Sequence, residues 1–207
     1  MKEYLTIKEA VYGEYVEKRS KFISGIYPVL SETEASDILS KVKSDNFGAN
    51  HNVYAYILSD GTARFSDDGE PHGTAGKPVL EVLEGSMLQN VLIVVTRYFG
   101  GVLLGTGGLV RAYTAAAQNA LSNSSVVKMC ECVVYSAFLD YSKVDKLTAV
   151  IDKFEGSITD TVYEEKVKIV FNIQKIKTPD FVKSIKESFS GEMIAKEEKI
   201  GIFPVKI

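Results

Sequence analysis

From Asn90 to Thr96 the chain reads Asn-Val-Leu-Ile-Val-Val-Thr, and no other stretch constrains the fold as tightly. An unbroken apolar run bounded by polar residues predicts a strand buried at the centre of a sheet. Its surroundings supply partners. Residues 4–16 and 21–29 predict two further strands, with Ile7, Val11, Tyr15, Phe22 and Ile26 among β-branched and aromatic neighbours. Ser31 followed by Glu34 predicts the capped start of a helix whose apolar stripe is Ile38, Leu39 and Val42. Residues 52–58 and 62–66 predict a strand pair turned by Ser59-Asp60-Gly61. Helices are expected over 78–84, with Pro78 in the first turn, and over the alanine-rich 109–121.

After the polar Ser122–Ser125 loop, residues 126–129 predict a strand closing the first domain, placed at 1–130. Residues 131–207 then give strand 132–139, helix 143–154 stopped at Gly156, strands 157–163 and 167–174, helix 179–189 stopped at Gly191, and strand 193–203. That order, β-α-β-β-α-β, predicts a ferredoxin-like second domain and an α+β fold class for the whole chain.

Composition narrows the function. Of 207 residues 45% are hydrophobic and 25% charged, so a packed core is expected. The net charge of −3 gives no global basic field, and any polyanion must be met by a local patch. All four arginines (Arg19, Arg64, Arg97, Arg111) lie in the first domain. Arginine is the better bidentate ligand for phosphate and carboxylate, so recognition is expected there. Cys130 and Cys132 share one face of a strand and read as small buried hydrophobes. The alternating amino terminus has no apolar leader core, and no apolar run reaches about 18 residues. A cytoplasmic protein without a membrane partner is expected.

Nine of the 16 glycines fall between Gly69 and Gly108, eight of them in two loops. Glycine is needed where φ is positive or a ligand approaches the backbone, although tight turns alone explain some of them. The second loop, Arg-Tyr-Phe-Gly-Gly-Val-Leu-Leu-Gly-Thr-Gly-Gly from Arg97, leads straight into a helix, whose free N–H groups attract anions. Arg97 at the end of the central strand, Arg111 in the first turns and the amides of Gly107 and Gly108 are candidate phosphate ligands, with Lys77 in support. Tyr98 offers a ring for base stacking. Alternatively, either arginine pairs with Asp67, Asp68 or Glu70 of the first loop. Those carboxylates, with His72, could instead bind a divalent metal or act as acid and base, but the spacing matches neither an EF-hand nor a P-loop, where Pro71 and Pro78 stand at required positions. Asp67 and Asp68 are equally suited to bonding their own loop backbone. No nucleophile–base motif is present, so no catalytic residue, metal ligand or cofactor is assigned.

Asp-Asp-Gly-Glu-Pro-His-Gly-Thr-Ala-Gly-Lys-Pro-Val-Leu-Glu-Val-Leu from Asp67, followed by the run from Asn90 to Leu121, resembles the signature of the YigZ/IMPACT family, and the resemblance extends over both halves. It implies a bacterial two-domain member. It also implies a first domain like the second domain of ribosomal protein S-five, and a second like a carboxyl-terminal domain of elongation factor G. The signature surface carried onto this chain includes Asp67, Asp68, Gly69, Glu70, Gly73, Thr74 and Gly76, together with Arg97, Tyr98, Gly100, Gly101, Gly105, Gly107, Gly108 and Arg111. Two positions depart from the pattern: His72 replaces a small residue, and Val53 stands where members often carry cysteine. The resemblance implies a role in translation. The function expected is therefore a regulatory binding protein whose partner is RNA, the ribosome or a translation-associated protein. Two alternatives are a metal-dependent enzyme acting on a phosphorylated small molecule through Asp67, Asp68 and Glu70, and a protein–protein adaptor using the acidic loop.

Overall fold

A computed structural model describes residues 3–205. The chain divides into two compact units, Tyr4–Val126 and one built from Val127 onward that also takes in Glu3.

The first unit contains β1 (Tyr4–Ile7), β2 (Val11–Glu17), β3 (Ser20–Pro28), α1 (Glu32–Asp45), β4 (His51–Ile57), β5 (Ala63–Ser66), α2 (Gly76–Ser86), β6 (Val91–Tyr98) and α3 (Thr106–Ser122). Its main sheet has the order β2-β3-β6-β4-β5, and every pairing is antiparallel. The apolar run is the middle strand. Val91, Ile93 and Val95 face the core under α2 and α3, while Leu92 and Val94 face α1. Helices on both faces make this strand apolar throughout, a pattern more usual in parallel sheets. Each fully buried Val, Leu or Ile here contributes about 1.5–3 kcal/mol. Because the sheet is antiparallel, the loop after β6 does not lie at the ligand crevice of a parallel sheet.

Local chemistry explains the helices. Ser31 Oγ accepts the Glu34 amide at 3.2 Å, as its spacing predicts. The Glu34 carboxylate reaches back one residue further out and accepts the Leu30 amide at 2.6 Å. Ala112, Ala116, Ala117 and Ala120 give α3 a smooth face that lies close on the sheet, with Leu109 and Tyr113 as its larger buried side chains.

The second unit contains β7 (Val126–Leu139), α4 (Val144–Lys153), β8 (Ser157–Tyr163), β9 (Val167–Gln174), α5 (Thr178–Ser188) and β10 (Ala195–Val205). Its strands run β10-β7-β9-β8, all antiparallel, which is the ferredoxin-like order. Residues 126–129 and 132–139, expected as two strands, are one. Nothing between them is Gly or Pro, so no residue there interrupts extended backbone. Along β7, Val133, Tyr135, Ala137 and Leu139 enter the core beneath the helices. Cys130 and Cys132 face the other way as free, buried thiols beside Val205, and burial pushes the Cys132 thiol up to about 11. Among the described residues no helix is long and apolar enough to cross a membrane.

Candidate functional site

The two glycine-bearing loops belong to the first unit, and their carboxylates have separate tasks. Asp67 Oδ1 accepts the amides of Ala75 at 3.1 Å and Gly76 at 2.8 Å, and Oδ2 accepts that of Gly73 at 2.8 Å. Asp67 therefore caps α2 from outside the usual capping position. Partial burial opposes ionisation, yet these three N–H donors hold its carboxyl below the ordinary value. Asp68 lies where β5 has ended and β4 would otherwise expose a ladder amide. Its Oδ2 accepts the Asn52 N–H at 2.7 Å and its Oδ1 accepts Lys43 Nζ at 2.9 Å. Thr74 is buried, donating its hydroxyl to the Pro71 carbonyl at 2.6 Å. Gly69 and Gly73 have left-handed φ.

Glu70 is 8% exposed and Arg97 6%, and they form an ion pair of 2.6 Å between Oε1 and Nη1. Tyr113 donates its hydroxyl to the same Oε1 at 2.8 Å, and burial with this carboxylate raises the phenol's pKa. The Arg97 guanidinium lies 5.5 Å from the ring centres of both Phe22 and Phe99, and its Nε–H has no partner. His51 Nδ1 donates to the Asp68 carbonyl at 2.8 Å. That fixes the hydrogen on Nδ1 and leaves Nε2 3.8 Å from Glu70 Oε1, too long for a hydrogen bond.

The remaining candidates scatter. Lys77 is exposed in the first turn of α2, 3.9 Å from Glu81. Tyr98 is half-buried, and its hydroxyl donates to Asn46 Oδ1 at 2.9 Å. Gly107 is exposed and Gly108 buried in the first turn of α3. Arg111 is exposed and has no acidic partner among the described residues. Of the two arginines offered as phosphate ligands, the structure thus leaves Arg111 at the surface and buries Arg97 against Glu70. The three loop carboxylates are each committed to protein donors, and no group of three metal-binding side chains is found among the described residues.

A basic feature absent from the sequence reading lies beside the loop. Lys18 and Arg19 form the two-residue turn between β2 and β3, both exposed and both with positive φ, 45° and 68°. A Cβ on Gly100 would collide with the Arg19 backbone, so only glycine lets the loop lie on this turn. Ser20 Oγ ties them, accepting the Gly100 amide at 3.3 Å and the Arg97 Nη2 at 3.4 Å. Glu-Lys-Arg-Ser between two alternating strands was the available signal. At the far end of the loop, Gly105 with φ of 71° precedes α3 and supplies no side-chain cap, and Leu103 at the tip is 83% exposed.

Beneath the loop is a cavity of about 450 Å³ lined by His51, Glu70, Arg97, Leu104, Gly105 and Leu109, among others.

The chain matches the model of the Impact N-terminal domain over residues 18–121 and that of a domain of unknown function (DUF1949) over residues 138–192. It is 34% identical to the IMPACT family member YvyE of Bacillus subtilis over 199 residues, covering 95% of this chain and 92% of that protein. It is also 34% identical to an IMPACT family member of Haemophilus influenzae over 205 residues, covering 97% and 100%. A solved structure titled as the crystal structure of a hypothetical protein superposes with a TM-score of 0.63 at 27% identity, over 100% of this chain and 98% of that one.

Proposed function

The chain belongs to the IMPACT family, and from that premise we propose that it is a cytoplasmic, translation-associated regulatory protein that binds RNA, on the ribosome or beside it. The family resemblance supports the tie to translation. The observation that carries RNA is the trio Lys18, Arg19 and Arg111: exposed, without acidic partners among the described residues, and close to the glycine-rich loop after β6. Guanidinium and ammonium groups unclaimed by carboxylates remain available to phosphates. Neighbouring glycines let a backbone come close, and the half-exposed Phe99 offers a ring face. Of the other candidates Gly107 adjoins this surface, lying beside the Arg111 side chain. Arg97 supports the loop from beneath through its pairing with Glu70.

One observation favours a second reading, a protein-binding adaptor: Leu103 stands exposed at the loop tip with Val102 beside it. A photoactivatable amino acid at Val102, irradiated in cells, separates the two. The RNA reading predicts that the dominant adduct is nuclease-sensitive. Adducts that resist nuclease and yield only protein overturn it in favour of the adaptor.

A further inference from the structure

We propose that the cavity beneath the glycine-rich loop is a binding site for a small monocarboxylic acid with an apolar body. Its volume of about 450 Å³ lies in the range of small-molecule sites, roughly 300–1,000 Å³. Its wall is of two kinds. Pro71, Phe99, Leu104 and Leu109 are apolar, while Asn50, His51, Glu70 and Arg97 are polar, and Gly105 and Thr106 bring in the start of α3.

Three observations select the ligand. The 17-residue α3 begins at this wall without a side-chain cap, so its first amides are free and carry a fractional positive charge, about half an elementary charge. Arg97, more than nine-tenths buried, is among the residues lining the cavity, and its Nε–H has no acceptor. Its full charge is already met by Glu70 at 2.6 Å. The field left over from the groups lining the cavity therefore suits a single negative charge. A phosphate dianion would bring more charge than these groups balance, and a neutral acceptor would forgo the attraction of the helix's positive end. Arg111, the nearest free cation on α3, does not line the cavity. The carboxylate is placed at the amides of Thr106 and Gly107. Its apolar body lies against Leu104, Leu109 and Pro71, and His51 Nε2, held by the Nδ1 bond to Asp68, can accept a hydrogen bond from a ligand hydroxyl.

The cavity shares Phe99 with the proposed RNA surface but not its cations Lys18, Arg19 and Arg111, and the test keeps the two apart. Full-length protein labelled with ¹⁵N is titrated with hexanoate, hexanamide and inorganic phosphate while amide shifts are recorded. The expected result is saturable shifts at Thr106, Gly107 and Leu109 with hexanoate, with a dissociation constant on the order of 1 mM. Hexanamide should bind at least about tenfold more weakly, a factor set by loss of the charge. Phosphate should leave Leu104 and Leu109 unmoved. Thr106→Asp, an exposed change that suits a helix start, should abolish the hexanoate shifts by placing a carboxylate where the ligand's would sit. Lys18→Asn/Arg19→Gly should bind hexanoate as the parent does, whatever happens to RNA. Equal binding of hexanamide, equal shifts with phosphate, or hexanoate shifts that persist in Thr106→Asp would each overturn the proposal.

Discussion

Glu70 and Arg97 show how one residue's role depends on its neighbours. Each is a charge buried almost completely, and each is tolerable only because the other lies 2.6 Å away. Glu70→Gln should therefore destabilise the first unit by about 3–5 kcal/mol, read from the midpoint of urea unfolding, because it strands the Arg97 charge. Glu70→Gln/Arg97→Met should recover much of that loss; a double variant no more stable than the single would contradict the account. Lys18 and Arg19 present the opposite case. Both occupy left-handed backbone, in a turn that favours Asn-Gly, so the sequence accepts strain to keep two cations there. Lys18→Asn/Arg19→Gly should raise stability by about 1 kcal/mol and weaken RNA binding, measured by thermal unfolding and fluorescence anisotropy respectively. A variant gaining stability with RNA affinity intact would remove this turn from the surface.

At the scale of elements, α2 depends on a distant cap. The folded carboxyl of Asp67 is held below its unfolded value, so its contribution is present above the unfolded pKa and is lost as pH falls through the folded one. Stability should fall in acid below about pH 4, and Asp67→Asn should flatten that dependence while costing about 1–2 kcal/mol at neutral pH. A parallel acid loss in parent and variant would contradict this. The same element explains what was legible beforehand. The capped start of α1, the middle strand β6, the alanine face of α3 and the β-α-β-β-α-β order were readable, because each depends on periodicity or on contacts within a few residues. That Asp67 bonds its own loop backbone was legible, but that it thereby caps α2 was not, because Asp67 lies nine positions before Gly76 and reaches it only through the turns at Gly69 and Gly73. The pairing of Arg97 with a carboxylate of the first loop stood among the sequence's alternatives and holds with Glu70, but the burial of the pair was not legible, because it needs β3, α3 and the acidic loop assembled around it. The cations Lys18 and Arg19 were present in the sequence, but their place beside the loop depends on the absence of a side chain at Gly100.

On the scale of the whole molecule, a chain of net charge −3 can bind a polyanion only through a patch, and the first unit supplies one in Lys18, Arg19 and Arg111. Three phosphate contacts to a single strand give a slope of about −2 for log affinity against log salt. The measurement that tests this most directly is the affinity for a single-stranded RNA across a salt series, for the parent protein and for Arg19→Ala/Arg111→Ala. The account predicts a slope near −2 for the parent, falling by about 1.4 when two contacts are lost, with affinity reduced at every salt concentration. No binding at low salt, or an unchanged slope in the double variant, would contradict it.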